Sequence, residues 1–255
     1  MLKPNAWIAT NNPYDIDKDS NGIPIFTEKN EKILRMIIAL DSTYQSSKPQ
    51  TVQGFLKSNG IPTNYQDMET LVKLLDRENS THLASSGKKK GSNQGIQITA
   101  TAICNIKNLR KRLQGGDKEL VSLIAKAVPG RTNYSFATKF CTYCNRYAFG
   151  GDEFSIYDAA LRDSLPYYAY VYCKKNLRNG GKANSAIART YGDPQKYGGY
   201  CKLIDDIRNE INQYTSLNIT REVFDLFLWY FFKNNKNNVD AACACVGDPY
   251  KILVV

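Results

Sequence analysis

Apolar residues recur at helical spacing along most of this chain. The first example is the segment 28–44, whose apolar positions predict a helix with one strongly buried face: Ile33, Leu34, Ile37, Ile38 and Leu40. The same pattern predicts further helices at 51–60, 67–77, 98–113, 118–128, 133–147, 203–214 and 221–233. No internal repeat is evident. The pattern predicts an all-α fold, which we expect to form two helical lobes with a cleft between them.

The two ends of the chain lack this periodicity. Residues 1–28 are rich in Asn, Asp, Pro and Gly and predict an irregular arm with a turn at Asp19–Gly22. Residues 234–255 are polar and then Cys-rich, and they predict no element. We therefore expect a single unit, with an N-terminal arm, a helical body over residues 29–233 and a C-terminal tail.

Two predicted helices are dense in aromatic residues. The segment 221–233 is apolar on nearly every side, which is typical of a helix at the centre of a domain. Further upstream, tyrosines cluster at Tyr167, Tyr168, Tyr170 and Tyr172. A buried helix accommodates such tyrosines when their hydroxyl groups have hydrogen-bond partners.

The candidate chemistry lies in residues 128–161. A turn at Pro129–Gly130 precedes the predicted helix that carries Lys139, and Gly150–Gly151 ends that helix. The extended-looking Glu153–Tyr157 follows, and Asp158 then begins another helix-like segment. An aspartate there can accept hydrogen bonds from the first backbone N–H groups of a helix. Helix, loop and cap are expected to bring Lys139 and Asp158 into one neighbourhood.

A resemblance to a known family rests on the stretches YSFATK and FSIYD. It also rests on the separation of 19 positions between Lys139 and Asp158. These features resemble the helix-hairpin-helix DNA glycosylases, and the 8-oxoguanine-glycosylase branch in particular. The resemblance implies that residues 118–147 form the hairpin of two helices. It also implies that Lys139 is a nucleophile that forms a Schiff base with the sugar, and that Asp158 stabilises the developing cation or helps deliver the nucleophile.

The resemblance also implies how duplex DNA would be held. The hairpin turn would present backbone N–H groups and a helix N-terminus to a phosphate, through Gly130, Arg131, Thr132 and Asn133. The end of the first helix would supply a base pocket or a wedge that enters the duplex, through Tyr44, Gln45 and Ser46. A polar loop that only ends the helix is an equally good interpretation of those three residues.

Charge agrees with an anionic partner. The net charge is +10 and the pI is near 9.1, and for such a protein nucleic acid is the first candidate. Lys88, Lys89 and Lys90 lie between glycines in a flexible-looking stretch, which suits nonspecific phosphate contact. We therefore expect double-stranded DNA as the partner, with no obligatory protein partner.

Other classes of protein are disfavoured. No uninterrupted apolar stretch of eighteen residues and no signal-peptide core occur, so we expect a cytoplasmic protein without a membrane span. The seven cysteines are odd in number and do not suggest a disulfide framework. Cys141 and Cys144 suit buried thiols on one helix face. The Gly180–Asn184 stretch lacks the spacing of a P-loop, and we expect neither a metal nor another cofactor.

Several functions stay open at this point. The chain could excise an oxidised purine in DNA repair, or remove a deliberately modified base from foreign or phage DNA in antiviral defence. Either enzyme could also cleave the strand by β-elimination, or Asp158 could direct hydrolysis without lysine attack. From a different class, it could be a non-catalytic DNA-binding module in which Lys139 only contacts phosphate. A metal-dependent nuclease has the least support, because the acidic residues show no clustered ligand spacing.

Overall fold

The described part of the chain is all-α, as the hydrophobic pattern predicts. A computed structural model describes residues 15–46, 48, 50–79, 81–84, 93–175, 197–233 and 242. Its helices are α1 (Glu28–Ser46), α2 (Val52–Asn59), α3 (Tyr65–Asn79), α4 (Gln94–Cys104), α5 (Leu109–Gln114), α6 (Glu119–Ala125), α7 (Tyr134–Phe149), α8 (Ala159–Cys173), α9 (Tyr197–Thr215) and α10 (Arg221–Phe232). None of these described helices is long and apolar enough to cross a membrane. The only β contact within the described ranges is a single bridge between Lys18 and Pro24.

Most predicted helices are confirmed to within a few residues, but the long helix predicted over 98–113 is wrong. It is two helices, α4 and α5, separated at residues 105–108. Asn108 has φ 56°, in the left-handed region that asparagine tolerates better than most residues. The segment 98–113 is an unbroken run of helix-compatible residues, so the sequence pattern did not indicate the left-handed conformation of Asn108.

The helix predicted over 118–128 is also shorter than expected. Helix α6 ends at Ala125, and Lys126 forms its C-cap. The residue before a proline is disfavoured in the α region, and Val128 precedes Pro129. The chain therefore leaves the helix before the Pro-Gly turn is reached.

By its contacts, the chain divides into two compact units. The aromatic unit is Met1–Ala39 with Asp158–Val255, and the lysine unit is Leu40–Tyr157.

The aromatic unit is built on α8, which packs against both α9 and α10. Phe26, from the predicted N-terminal arm, is buried there and stacks on Phe227 of α10 with ring centroids 3.9 Å apart. Tyr168 donates its hydroxyl hydrogen to the backbone oxygen of Pro24 at 2.7 Å, and Tyr167 donates to the Asp19 carboxylate. The tyrosine hydroxyls thus have the partners that their burial requires, and residues 15–27 are irregular but packed.

The lysine unit is organised around α7. This helix packs against α2, α3, α5 and α6, and α3 also packs against α4. Its buried apolar residues are Phe136, Ala137, Phe140, Cys141 and Cys144. The prediction that Cys141 and Cys144 are buried thiols is confirmed. Burial raises the pKa of the Cys144 thiol well above its ordinary value, and the neighbouring Cys141 adds to that effect.

Candidate functional site

The turn before α7 presents a short exposed segment. Asn133 N donates to Ala125 O at 2.8 Å and Arg131 N donates to Val128 O at 3.2 Å, which closes the turn between α6 and α7. Gly130 has φ 73°, in the left-handed region that favours glycine. Gly130, Arg131 and Thr132 are exposed, whereas Asn133 is buried. Three of the four residues predicted to contact DNA at this turn are therefore accessible to a partner.

Helix α7 has a polar face as well as an apolar one, and both are largely buried. The polar positions recur three or four residues apart, so they share one side of the helix. This polar face consists of Ser135, Thr138, Lys139, Thr142, Asn145 and Arg146. All of them except the half-buried Ser135 are buried. Burying so many polar groups is costly unless they are hydrogen-bonded, so this face is kept for structure, for function or for both.

Lys139 lies in the middle of the polar face. Only 3% of its surface is exposed, and its Nζ donates to Ser135 Oγ at 3.2 Å, one helical turn earlier. Lysine is among the residues least often buried, so a lysine at this degree of burial is unusual. The structure thus separates Lys139 from the solvated surface lysines of this basic chain.

The connection from α7 to α8 covers part of the polar face. Asn145 donates from Nδ2 to Leu113 O at 2.9 Å and accepts from Glu153 N at 3.0 Å through Oδ1. The chain passes Asn145 so closely that a Cβ on Gly151 would lie 2.5 Å from Asn145 Oδ1. Arg146 Nη2 lies 3.4 Å from Asp152 Oδ1. Residues 151–157 have neither helical nor strand structure, and side chains of α7 satisfy part of their backbone.

The last residue of this connection is fixed beside the residue that precedes Lys139. Tyr157 N donates to Thr138 Oγ1 at 3.1 Å, and the Tyr157 ring meets the Tyr134 ring edge-on with centroids 6.4 Å apart. Asp158 follows Tyr157 directly and is the first residue of the aromatic unit's second segment.

Asp158 is the N-cap of α8, as predicted. Its backbone is extended, and its Oδ1 accepts from Leu161 N at 3.2 Å. This hydrogen bond satisfies one of the N–H groups that a helix start leaves unpaired.

One member of the polar face stands apart from the others. Thr142 is 1% exposed, and its Oγ1 has no hydrogen-bond partner among the described residues. Thr142 lies three residues after Lys139, on the same side of the helix.

Two sets of predicted DNA contacts lie where their side chains are not described. Tyr44, Gln45 and Ser46 form the end of α1, but their side chains lie outside the described residues. Lys88, Lys89 and Lys90 lie outside the described residues altogether. Their roles stay predictions.

Sequence reasoning missed Thr138, Thr142 and Asn145, which share the polar face with Lys139. Their signal was available, because they recur at i, i+3, i+4 and i+7 steps within a helix that is otherwise apolar. A helix buried on both faces has no solvent side, and only a three-dimensional structure shows that the polar side is covered as well.

A second pattern in the sequence lies in the N-terminal arm. Residues 17–28 follow the spacing D-x-D-x-N-G-x₅-E of a calcium-binding loop. In the structure, Asp17 accepts from Thr27 Oγ1, and Asp19 accepts from the backbone of Asn21 and Ile23. Across the described residues, no group of three or more His, Cys, Asp or Glu side chains is placed to hold a metal ion. In this structure the Asp17 and Asp19 side chains order the arm through these hydrogen bonds.

Comparison with known proteins bears mainly on the lysine unit. Residues 28–148 match the family model HI_0787_N, described as an N-terminal domain. That match includes the turn at Gly130 and Lys139, and it ends before Asp158. An uncharacterized protein of Haemophilus influenzae (strain ATCC 51907 / DSM 11121 / KW20 / Rd) is 37% identical over 100 residues. The matched part covers 36% of this chain and 47% of that protein, so the match spans about half the length of the relative. No solved structure matches the chain.

Proposed function

We propose that this protein is a DNA glycosylase of the helix-hairpin-helix type, in which Lys139 attacks the sugar of a nucleotide that has been flipped out of the duplex. The observation that carries the proposal is the burial of Lys139 on the polar face of α7. This helix directly follows the exposed turn at Gly130. A buried amine beside a phosphate-binding turn is the arrangement that attack on a nucleotide within a DNA strand requires.

The proposed reaction begins with the amine of Lys139. Attack needs a lone pair on Nζ, so Nζ must be neutral at that step, and Ser135 Oγ at 3.2 Å accepts one of its N–H groups and orients the amine. A bond forms from Nζ to C1′ of the sugar as the bond from C1′ to the base breaks. The electron pair of that bond leaves with the base, which takes up the proton that Nζ releases as the new C–N bond forms. Opening of the sugar ring then gives a Schiff base, from which β-elimination cleaves the strand.

Asp158 is the proposed partner of Lys139. The hydrogen bond between Tyr157 N and Thr138 Oγ1 supports this pairing, because it fixes the residue before Asp158 beside the residue before Lys139. A carboxylate near C1′ would stabilise the positive charge that develops on the sugar. One well-placed electrostatic group of this kind is commonly worth about 3–4 kcal/mol in the transition state.

DNA would be gripped at the turn between α6 and α7. Gly130 has no side chain and a left-handed backbone, which lets a phosphate approach the backbone closely. The N–H groups of the first turn of α7 have no partner four residues earlier within the helix, and they favour an anion at that end. The net charge of +10 supplies the long-range attraction.

Borohydride trapping on a panel of duplexes tests the proposal. The panel carries oxidised, alkylated and phage-type modified bases, and the protein is wild type, Lys139→Ala or Lys73→Ala. Lys73 is an exposed lysine of α3, away from the proposed DNA-binding turn, so its variant is the matched control. We expect a covalent adduct with wild type and Lys73→Ala that is absent with Lys139→Ala. An adduct that persists in folded Lys139→Ala would remove Lys139 from the role of nucleophile.

The substitution Asp158→Asn tests the catalytic role of the Asp158 carboxylate while keeping a residue that can cap α8. Asparagine caps helices about as well as aspartate, so α8 is expected to keep its start while the carboxylate is lost. We expect an unchanged melting temperature and base release that falls by about 10²–10³-fold, the size of effect seen when one electrostatic group is removed.

The released base decides between the two glycosylase roles. Release of an oxidised purine supports repair, and release of a phage-type base supports defence. Binding of DNA without any trapping or base release across the panel would instead favour the non-catalytic module.

A further inference from the structure

The lysine unit contains a groove on the side of α5. Its volume is about 460 Å³. It lies between residues 61–63, which follow α2, and residues 104–114, which include the break between α4 and α5. The loop that replaces the expected continuous helix therefore forms one wall of this groove.

The charged residues that line the groove are all cations. Arg110 and Lys111 line it, and none of its lining residues is acidic. Both side chains are exposed, and neither forms an ion pair with a described residue, whereas the neighbouring Arg112 is paired with Asp117 at 2.6 Å. Two cations without carboxylate partners favour an anionic ligand.

Arg110 is held in place at this groove. Its guanidinium group lies over the Phe149 ring, 5.5 Å from the centroid. A stacked guanidinium loses little further conformational freedom on binding, and it can offer two parallel donors to a phosphate.

The remaining lining is suited to a sugar rather than to a bare ion. Ile61 and Leu109 are buried and form an apolar floor, and Ile106 is half-buried beside them. On the far side of Ile106, the exposed Lys107 lines a second groove of about 390 Å³. Cations on both sides of an apolar ridge match the alternation of phosphate and sugar along a nucleic-acid strand.

We propose that the groove at Arg110 and Lys111 binds the sugar-phosphate backbone of a DNA strand, as a second DNA contact separate from the turn at Gly130. The occupant rests on the proposed function, because DNA is the anion that the proposed reaction supplies. The phosphates contact Arg110 and Lys111, and the sugars pack on Ile61, Ile106 and Leu109. The contact holds the duplex without reading its sequence, since backbone contacts position DNA and base contacts specify it.

Binding of a fluorescent duplex over a range of salt concentrations measures the contribution of the two cations. The variants are the double substitution Arg110→Gln/Lys111→Gln and, as control, Lys18→Gln, which removes an exposed lysine of the aromatic unit. We expect the double variant to bind roughly tenfold more weakly and its salt slope to fall by about 1.8, or about 0.9 for each lost phosphate contact. If the double variant behaves like Lys18→Gln, the groove does not contact DNA.

Cys104 reports directly on occupancy, because this exposed thiol lines the groove. Alkylation of Cys104 at mildly alkaline pH, read by peptide mass spectrometry, is expected to slow several-fold when the wild-type protein is saturated with duplex. Alkylation of Cys173, in the aromatic unit, serves as the internal reference. An unchanged rate at Cys104 under saturating DNA would overturn the proposal. Equal protection by inorganic phosphate alone would do so as well, because the site would then hold a small anion rather than a strand.

These measurements can fail independently of the glycosylase proposal. DNA binding that depends on Arg110 and Lys111, without borohydride trapping, would support the proposed groove and contradict the proposed reaction. Borohydride trapping, together with DNA binding that does not depend on Arg110 and Lys111, would support the proposed reaction and contradict the proposed groove.

Discussion

Helix α10 of the aromatic unit and helix α7 of the lysine unit are both deeply buried, but they use burial differently. On α10 the buried residues are almost all apolar or aromatic, and Phe224, Phe227 and Phe231 are at most 4% exposed. On α7 an apolar face is matched by a buried polar face that carries Lys139. The first arrangement maximises the free energy of burial. The arrangement on α7 loses part of that free energy because polar groups are buried at fixed positions, which is typical of a functional site.

The largest expected effect is on the aromatic side of this comparison. Phe227→Ala removes a ring that stacks on Phe26 and meets Phe231 edge-on with centroids 4.7 Å apart. We expect a loss of about 3–5 kcal/mol in the free energy of unfolding, measured by urea denaturation. Tyr214→Ala, at a tyrosine that is 70% exposed, is the control, and its effect should stay within about 0.5 kcal/mol. Similar losses from the two variants would show that Phe227 does not belong to the core of its unit.

Asn145→Ala tests whether the polar face of α7 supports the fold at all. The substitution leaves Leu113 O and Glu153 N without their side-chain partner, and each unsatisfied buried group costs about 1–3 kcal/mol. We expect a total loss of about 2–4 kcal/mol. Asn105→Ala removes the same amide at an exposed position and should change stability by less than about 0.5 kcal/mol. If the two variants were equal, residues 151–157 would not depend on Asn145.

The hydrophobic pattern predicted the buried aromatic helix α10 well and the buried polar face of α7 poorly. The predicted end of helix α10 lies within one residue of the observed one, and the helix is largely buried as its apolar pattern indicates, because apolar periodicity and burial are the same signal. The N-cap role of Asp158 was also predictable, since capping is a local property. The burial of Lys139 was not predictable, because it depends on contacts between segments that are distant in sequence. The break at Asn108 was missed because one left-handed residue leaves no trace in a hydrophobic pattern.

Alkaline pH provides a way to weaken the aromatic unit through the buried Tyr172. Burial raises the pKa of Tyr172 from 10.0 to about 12, with a smaller contribution from Asp19 and an opposing one from a backbone hydrogen bond at Phe26. Tyr172 is neutral in both states below about pH 10, and above that value only the unfolded chain ionises readily. Its contribution to stability is therefore fully present below about pH 10. It declines as the pH rises toward about 12, by up to about 2.7 kcal/mol.

Urea unfolding of wild type and Tyr172→Phe at about pH 9 and about pH 11.5 isolates this effect. We expect Tyr172→Phe to lose less stability than wild type over that interval. Tyr214→Phe, at an exposed position, should follow wild type. Burial also raises the pKa of Cys173 to about 11, so all three proteins are best compared in a Cys173→Ala background. Equal declines in the three proteins would mean that Tyr172 does not ionise during unfolding.

The smallest expected effects make the sharpest comparison, because they set two residues of one face against each other. Thr138 and Thr142 are both buried on α7, one turn apart, and valine replaces either hydroxyl with a methyl group of similar volume. Thr138→Val removes the acceptor of Tyr157 N and should cost about 1–2 kcal/mol. Thr142 Oγ1 has no hydrogen-bond partner within the described part of the chain, so Thr142→Val should raise stability by about 1 kcal/mol.

The sign of the stability change in Thr142→Val then shows whether the Thr142 hydroxyl serves the reaction or the fold. A more stable Thr142→Val that also releases base more slowly would show that a polar group next to Lys139 is retained for the reaction at the expense of the fold. A more stable variant with unchanged activity would make Thr142 a tolerated imperfection of packing. Destabilisation equal to that of Thr138→Val would mean that the hydroxyl has a partner in the folded protein. In that case the polar face of α7, Lys139 included, is more completely satisfied by the fold, and borohydride trapping alone would decide whether Lys139 reacts.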